Sequence, residues 1–290
     1  MSNDGAQAVL ITGAGGGVGV PTATAFAERG YRVYAGVRDL AGTLGLDRAG
    51  IRRVLLDVTD PASIAAAMAT IAAERGEAGL QVLVNNAGVM VQGPQELLPD
   101  DELHRQFDVN VYGPQRVLRA ALPLLRAGGG RVINISAVTA LVAPPFFGPI
   151  AASKAALESL SEAARVELAP WRIPVAVVEL SGIDTALFAK AEAGMRKVLT
   201  DADPELEALY HNQLDALAAA QAKQPPGPVA PVVKVILRAA QARRPKARYT
   251  AGSGAGAFVL LSRLPARLRD RLITTILGLG KAGSAVEVTR

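Results

Sequence analysis

Short apolar runs and longer helical stretches alternate along residues 8–180, and this alternation constrains the fold more than any other feature of the chain. The runs are rich in Val, Ile and Leu, as expected for strands that are buried on both faces. Six runs precede residue 180, namely Ala8–Thr12, Arg32–Val37, Arg53–Asp57, Val82–Asn85, Arg131–Ser136 and Ile173–Glu179. The helical stretches between them are Val18–Glu28, Pro61–Arg75, Glu102–Leu125 and Ala151–Leu168. This order predicts an α/β fold with one doubly wound parallel sheet and helices on both faces.

The pattern changes after residue 185. A long helical stretch at 186–223 is stopped by the proline-rich segment Gln224–Pro228, and a helix at Val229–Ala242 and a short strand at Ala247–Thr250 follow. No internal repeat or domain boundary is evident. We predict a single domain over residues 1–290, with a helical substrate lid inserted at about 186–228 and a basic helical extension at about 258–290.

The composition excludes several kinds of site. The 290 residues include no cysteine and two histidines, so disulfides and thiolate metal sites are excluded and we predict no metal site. The first residues are polar and lack the pattern of a signal peptide, and no apolar run is long enough to span a bilayer. We therefore expect a soluble, cytoplasmic protein.

The charge is unevenly distributed along the chain. The net charge is +5, but residues 234–290 contain 12 Lys/Arg and 2 Asp/Glu. This basic end has no aromatic stacking platform and no DNA-binding motif, so we predict that the protein does not bind nucleic acid. Its leucines and arginines have the pattern of a helix lying on a membrane surface. Packing against the body or against a second subunit would give the same pattern, and we favour packing.

A glycine-rich loop joins the first strand to the first helix. Its candidate nucleotide contacts are Thr12, Gly13, Gly17, Val18 and Gly19. Glycines there let the backbone approach a pyrophosphate, which binds the free N–H groups at a helix N-terminus. Such loops also form plain turns, but between a strand and a helix this one predicts nucleotide binding on a Rossmann-like domain.

Further short motifs follow in an order that resembles the short-chain dehydrogenase/reductase family over about residues 8–180. They are the Thr-Gly-x3-Gly-x-Gly loop, Asp57-Val58, Asn85-Asn86-Ala87-Gly88 and Phe107-Asp108-Val109-Asn110. The segments Val142–Phe146 and Arg244–Tyr249, with the long tail, resemble the branch that contains 17β-hydroxysteroid and retinol dehydrogenases. The resemblance implies that Asp57 and Val58 hold the adenine, that the Asn86–Gly88 segment approaches the nicotinamide ribose, and that Asn110 holds a water of a proton relay.

The position at the end of the second strand indicates which cofactor is used. An NAD enzyme places an acid there, which bonds the ribose 2′-hydroxyl. Here Val37 stands at that position and Arg38 follows, and an arginine can pair with a 2′-phosphate. We predict NADP(H), with NAD(H) as the weaker alternative. Arg38 would serve no such role if it were a surface residue paired with Asp39.

The predicted reaction centre departs from the family. In the family a tyrosine protonates the substrate oxygen, and a lysine four residues later bonds the ribose and lowers the pKa of that tyrosine. Lys154 stands at the lysine position, but Ile150 stands where the tyrosine would be. Ser136 matches the serine that bonds the substrate carbonyl. Because an acid contributes about 10²–10⁴ in rate, ketone reduction should be severely weakened. Ser136, a water at Asn110 and Lys154 could supply only a slow substitute.

Two other features concern the cleft. Tyr210 is the tyrosine that could reach the cleft from the lid and act as the acid there, although we favour a lid residue without a catalytic role. The family's Pro-Gly pair after the sixth strand is replaced by Leu180 and Ser181, whereas Ile183 and Thr185 still match positions that meet the nicotinamide carboxamide.

Apolar residues of the lid point to a bulky lipophilic small molecule as the substrate, although core or subunit contacts explain them equally well. They are Leu187, Phe188, Met195, Val198, Leu199, Leu206, Leu209, Leu214 and Leu217, with Phe146 and Phe147 at the cleft. We predict an atypical NADP-dependent oxidoreductase. The alternatives are a non-redox enzyme on the same fold (a cyclase, dehydratase or isomerase) and a catalytically silent nucleotide-binding protein. The family also implies a homodimer or homotetramer formed through its fourth and fifth helices.

Overall fold

A seven-stranded sheet forms the centre of the protein in a computed structural model that describes residues 5–41 and 45–282. The strands are β1 (Ala8–Ile11), β2 (Arg32–Val37), β3 (Ile51–Leu55), β4 (Val82–Asn85), β5 (Arg131–Ala137), β6 (Val175–Ser181) and β7 (Arg248–Gly252). Their order is β3-β2-β1-β4-β5-β6-β7, and every neighbouring pair is parallel. The predicted doubly wound parallel sheet is confirmed.

Helices cover both faces of the sheet. They are α1 (Gly19–Ala27), α2 (Pro61–Arg75), α3 (Asp100–Phe107), α4 (Gly113–Ala127), α5 (Gly148–Glu167), α6 (Ala186–Asp201), α7 (Pro204–Ala222), α8 (Ala230–Gln241), α9 (Ala255–Leu261), α10 (Ala266–Ile276) and α11 (Leu279–Ala282). Helices α1 and α8 bury their apolar sides in one cluster, and α2, α4 and α5 in another. In the described parts of the chain, none of the helices has the length and apolar character needed to cross a membrane.

The direction of strand order reverses at β1, which pairs with β2 on one side and with β4 on the other. A crevice opens at such a switch point, outside the carboxyl ends of the strands, and ligands of doubly wound sheets bind there. The loops that follow β1, β4, β5 and β6 therefore converge on one region. Arg38 and Asp57-Val58 follow β2 and β3 at the same edge of the sheet. The other motifs singled out in the sequence, except those of the lid and the tail, lie in or next to these loops and the adjoining helices.

The predicted helix at 102–125 is interrupted. The chain forms α3, then a π-helical turn at Asp108–Tyr112, and then α4. The N–H of Gly113 bonds to the carbonyl of Asp108, five residues earlier. Pro114 explains the interruption, because it has no N–H with which to bond the carbonyl of Asn110. Single π turns of this kind are frequent at functional sites, and this one carries Asn110.

The predicted lid is two helices rather than one long helical stretch. Helix α6 ends at Asp201, and Asp203 caps α7 by accepting a 2.8 Å hydrogen bond from the N–H of Glu205. Pro204 stands at the first position of α7, where a proline is tolerated because its missing N–H has no helical partner. The sequence signal for this break is Asp203-Pro204, a capping residue followed by a proline.

Candidate functional site

The glycine-rich loop is fastened to the loop after β4. The hydroxyl of Thr12 accepts hydrogen bonds from the N–H groups of Asn86 and Ala87, both at 3.0 Å. The side-chain amide of Asn86 donates back to the carbonyls of Thr12 and Gly13, also at 3.0 Å. Gly13 has φ +61°, and a Cβ on it would lie 2.7 Å from Cα of Ala87. Only glycine permits both this conformation and this approach.

The loop also lies against the segment after β6. A Cβ on Gly17 would lie 2.9 Å from Cβ of Thr185, so these two predicted cofactor residues are in close contact. Val18 precedes α1 and provides no side-chain cap, and Gly19 begins the helix. The structure thus brings the glycine loop, Asn86–Gly88 and Thr185 together at the switch point.

The turn after β6 contains a glycine at position 182 rather than at position 181, where the resemblance implies one. Ser181 still belongs to the strand and donates a 2.7 Å hydrogen bond from its hydroxyl to the carbonyl of Ser253. Gly182 adopts φ +46° instead, and its carbonyl accepts from the N–H of Gly227 at 2.6 Å. Ile183 is buried and forms a bridge with Gly227. The positive φ therefore occurs at Gly182, one residue after the position at which the resemblance implies a glycine.

Arg38 and Asp57 lie near each other at the ends of β2 and β3. Burial raises the pKa of Asp57, but hydrogen bonds from Thr59 and the positive charge of Arg38 outweigh it, so the pKa lies below its usual value. Arg38 is exposed, and the carboxylate of Asp39 accepts instead from the N–H of Ala41 at 2.8 Å. Val58 is buried, and its side chain packs against Gly113.

Helix α5 holds Ile150 and Lys154 one turn apart, and both are buried. The ammonium of Lys154 donates a 2.7 Å hydrogen bond to the carbonyl of Ile135 in β5. A Cβ on Gly88 would lie 3.8 Å from Nζ of Lys154 and 3.4 Å from Oδ1 of Asn110. The structure therefore places Lys154, Gly88 and Asn110 around one point, beside the loop that would bind the nicotinamide ribose.

The side-chain amide of Asn110 forms hydrogen bonds with other groups of the protein. Its oxygen accepts from the N–H of Val89 at 2.9 Å, and its nitrogen donates to the carbonyl of Val89 at 3.0 Å. The same nitrogen lies 3.3 Å from the hydroxyl of Ser153. The side chain thus fixes the loop after β4 against α5, and the contact of Asn110 with a relay water stays a prediction.

Ile150 belongs to a compact apolar cluster that reaches the predicted lid. Its buried members are Met90, Phe147, Ile150, Ala191 and Leu217, with Phe146 and Leu277 packed against them. Ala191 and Leu217 come from α6 and α7, so the hydrocarbon at position 150 contacts the same cluster as both lid helices. Position 150 thus presents a hydrocarbon side chain that packs against other apolar side chains.

Burial lowers the pKa of Lys154 to about 8, and the negative charge of Glu158 offsets only part of this effect. Because the folded-state pKa lies below the ordinary value of 10.5, the unfolded chain binds this proton more tightly between pH 8 and 10.5. The charged lysine therefore costs stability in full below about pH 8. That cost disappears as the pH rises toward 10.5.

We expect Lys154→Met to be more stable to urea than the parent protein at pH 7, and the difference to shrink by about 3 kcal/mol between pH 8 and 10.5. Unfolding followed at several pH values measures it. Lys234→Met, at an exposed position of α8, is the matched control and should show a difference that stays constant with pH. A constant difference for Lys154→Met as well would contradict the burial of a charged ammonium.

The structure gives Ser136 a different partner from the predicted substrate carbonyl. Its hydroxyl donates a 2.6 Å hydrogen bond to the carboxylate of Glu158, which is buried on α5. Burial raises the pKa of Glu158, although Ser136 and Arg248 oppose this shift. Arg248 of β7 pairs with Glu158 and, at 2.6 Å, with Glu179 of β6. Ser136 is therefore part of a buried network that joins α5, β5, β6 and β7.

Two residues that the sequence did not single out lie at this site. Ala137 ends β5, is partly exposed and faces away from the side on which Ser136 meets Glu158, because successive strand residues alternate. Gln92 lines a narrow crevice together with apolar residues such as Met90 and Met195 and with the charged residues Glu102, Arg105 and Lys190. The Oε1 atom of Gln92 is buried and lacks a hydrogen-bond partner among the described residues. The alternation of β5 was a usable signal for Ala137, whereas nothing in the sequence marked Gln92.

The hydroxyl of Tyr210 has a partner on the body of the protein in this structure. Its hydroxyl donates a 2.6 Å hydrogen bond to the carboxylate of Glu96, and this bond raises the pKa of Tyr210. The contact joins α7 to the turn at Gln95–Leu97. The phenol thus holds the predicted lid to the body, as an ordinary lid residue would.

Comparison with known proteins identifies the family. The family model described as short chain dehydrogenase matches residues 7–196. Mouse retinol dehydrogenase 5 is 32% identical over 283 residues, covering 93% of this chain and 88% of the relative. Human 17-beta-hydroxysteroid dehydrogenase type 1 is 34% identical over 259 residues, covering 83% and 76%.

A solved structure supports the same conclusion. The crystal structure of a short chain dehydrogenase from Burkholderia cenocepacia in complex with NADP is 27% identical, with a TM-score of 0.72 and coverage of 93% of this chain and 98% of that one. The predicted resemblance to the branch of retinol and 17β-hydroxysteroid dehydrogenases is confirmed by these relatives. The chain belongs to the short-chain dehydrogenase family.

Proposed function

We propose that this protein is an NADP(H)-dependent oxidoreductase that acts on a bulky lipophilic small molecule without a phenolic acid. One observation carries the proposal: Ile150 packs in an apolar cluster one helical turn from Lys154, while the glycine loop and the Asn86–Gly88 segment keep a complete hydrogen-bonded arrangement. The nucleotide side of the cleft is thus preserved and the proton-donating side is changed.

The residues at the switch point fit a dinucleotide. The exposed loop at 15–17 leads into the uncapped start of α1, where N–H groups can bind a pyrophosphate. Arg38 is exposed and no acid follows β2 directly, which suits a 2′-phosphate. The related Burkholderia cenocepacia protein has NADP bound. Lys154 lies beside Gly88, where it can bond the nicotinamide ribose.

Replacing Arg38 tests the cofactor assignment. We expect Arg38→Gln to weaken NADPH binding by about 10–100-fold, because a charge-assisted hydrogen bond to the 2′-phosphate is lost. NADH binding should change little. Calorimetric titration of both nucleotides measures the effect, and Arg48→Gln, which removes another exposed arginine, is the control. Equal losses for NADPH and NADH would rule out a contact between Arg38 and the 2′-phosphate.

The chain's own residues limit which reduction is feasible. NADPH supplies a hydride when it is bound. The side chain of Ile150 has no proton to donate. The hydroxyl of Ser136 donates its hydrogen bond to Glu158, and Ala137 has no hydroxyl. Lys154 remains as a buried ammonium, held by the carbonyl of Ile135. Substrates whose reduction needs no strong acid, such as an iminium ion or a conjugated enone, therefore suit this cleft better than an ordinary ketone.

The lining of the cleft supports a lipophilic substrate with a hydrogen-bond donor. Ile150 belongs to an apolar cluster that joins the body to both helices of the proposed lid. Beside it, the buried Oε1 atom of Gln92 lacks a partner among the described residues. A buried acceptor without a partner costs free energy, so a donor on the substrate would be favoured there.

Assembly through α4 and α5 is supported by apolar side chains that these elements leave exposed. Leu160 and Val166 of α5 and Tyr112 at the start of α4 are exposed large hydrophobic residues. Because exposed apolar patches mark sites of protein–protein contact, we include a homodimer or homotetramer in the proposal.

Incubation with NADPH and matched ketone, cyclic iminium and conjugated enone probes discriminates between the candidate functions. We expect NADPH oxidation with the iminium or the enone and little with the ketone. Product formed without any change in the nicotinamide absorbance would instead identify a non-redox enzyme. Tight NADPH binding with no turnover of any probe would identify a silent nucleotide-binding protein.

A further inference from the structure

The tail of the chain forms a ridge that is both apolar and basic, and it does not pack as a core helix does. Helix α10 has no buried residue. Its Leu268, Leu272 and Ile276 follow at intervals of four residues, so they lie along one side of the helix, and all three are exposed. Leu260 of α9 is 65% exposed and Ile276 is 55% exposed. Together with the arginines at 263, 267 and 271, these four residues form what we call the basic ridge.

The other side of α10 and its neighbour α11 face the body. Leu264, Ile273 and Leu277 are half-buried, and Leu277 packs against the cluster that contains Ile150. Helix α11 contacts both α10 and α7. The prediction that the extension packs on the body therefore describes one of its sides, and the exposed ridge needs a separate explanation.

Charge indicates what covers the ridge. Residues 255–280 contain four arginines, at 263, 267, 269 and 271, and one acid, Asp270. The side chain of Asp270 lies 3.8 Å from Arg269, whereas Arg263, Arg267 and Arg271 are exposed. A second copy docking by twofold symmetry would place the same patch on both sides of the contact, so arginines would meet arginines. A surface of negative charge that accepts leucine side chains avoids this repulsion.

We propose that the basic ridge is a docking surface for an anionic lipid bilayer. The apolar side chains enter the boundary between headgroups and acyl chains, and the arginines bind lipid phosphates around them. The helix lies on the membrane and does not cross it. Because α11 joins this helix to α7, docking holds the proposed lid close to the bilayer.

Sedimentation of the full-length protein with vesicles tests the proposal. We expect binding to phosphatidylcholine vesicles that contain 1-palmitoyl-2-oleoyl-phosphatidylglycerol, weak binding to pure phosphatidylcholine, and a loss of binding at high salt. The variant Arg263→Gln/Arg267→Gln/Arg271→Gln should bind the anionic vesicles about 100-fold less tightly, since each arginine near such a surface contributes several-fold. A second variant, Leu268→Ser/Leu272→Ser/Ile276→Ser, should lose binding while keeping its charge.

The control variant removes three positive charges from parts of the surface outside the basic ridge. Arg29→Gln/Arg48→Gln/Arg119→Gln changes three exposed arginines on other elements and should leave vesicle binding nearly unchanged. The proposal is overturned if this control loses as much binding as the ridge variant, or if pure phosphatidylcholine binds equally well. It is also overturned if the protein does not bind vesicles and the substitutions in the ridge instead cause an oligomer to dissociate, as measured by analytical ultracentrifugation.

Discussion

Replacing Ile150 by tyrosine is expected to raise the rate of NADPH-dependent reduction of an aryl ketone by about 10²–10⁴-fold. The new phenol would stand one helical turn from Lys154, whose positive charge favours the phenolate and so lowers the pKa of the phenol. The hydroxyl could then donate the proton that position 150 lacks. Steady-state kcat/KM for the ketone, compared between the parent and the variant, measures the effect.

Ile150→Phe is the matched control, because it introduces the same ring without the hydroxyl. Both rings must displace part of the cluster formed with Met90, Ala191 and Leu217, so any effect of packing is common to the two variants. Equal rates for Ile150→Phe and Ile150→Tyr would contradict a missing acid as the cause of weak ketone reduction. Adding Ala137→Ser to the tyrosine variant tests whether a hydroxyl at the end of β5 increases the rate further.

Replacing Arg248 by methionine is expected to lower the free energy of unfolding by about 2–4 kcal/mol, less than the loss of a fully buried partner, because its own side chain is 37% exposed. Arg248 neutralises the buried carboxylates of Glu158 and Glu179, and without it two negative charges stay in the interior. Urea unfolding at pH 7 measures the loss. Lowering the pH should recover part of it, because protonation of the buried carboxyl groups removes the uncompensated charges.

Glu162 provides the comparison for this prediction. It also pairs with Arg248, at 2.6 Å, but its side chain is 53% exposed. Glu162→Gln should cost no more than about 1 kcal/mol, as exposed ion pairs do. If Arg248→Met costs no more than Glu162→Gln, then the buried network does not have the role in stability that its geometry indicates.

The sheet was predictable because its signal is local. Each strand is a short apolar run, and a parallel strand buried on both faces needs little else. Errors came where a single residue changes the backbone. Pro114 turns a helix into a π turn that carries Asn110, and Asp203-Pro204 divides the proposed lid into α6 and α7. Both signals are present in the sequence, but their effect depends on how the neighbouring segments pack.

The site was predictable as a set of positions and less so as a set of contacts. The spacing of Ile150 and Lys154 placed them on one side of a helix, as the structure has them. The hydroxyl of Ser136 could not be assigned in the same way, because its partner Glu158 lies 22 residues further along the chain. Likewise, Gln92 lines a crevice with residues of α6, which lies far along the chain. Contacts between distant segments decide these roles, and periodicity does not encode them.

Single-turnover kinetics with protein preloaded with NADPH test the central claim most directly. The rate of hydride transfer is measured for a cyclic iminium ion and for the ketone of the same carbon skeleton. Because only the ketone requires a proton as the hydride arrives, we predict that the iminium is reduced at least about 10² times faster. A ketone rate equal to that of the iminium would show that the cleft contains an effective acid and would contradict the account built on Ile150.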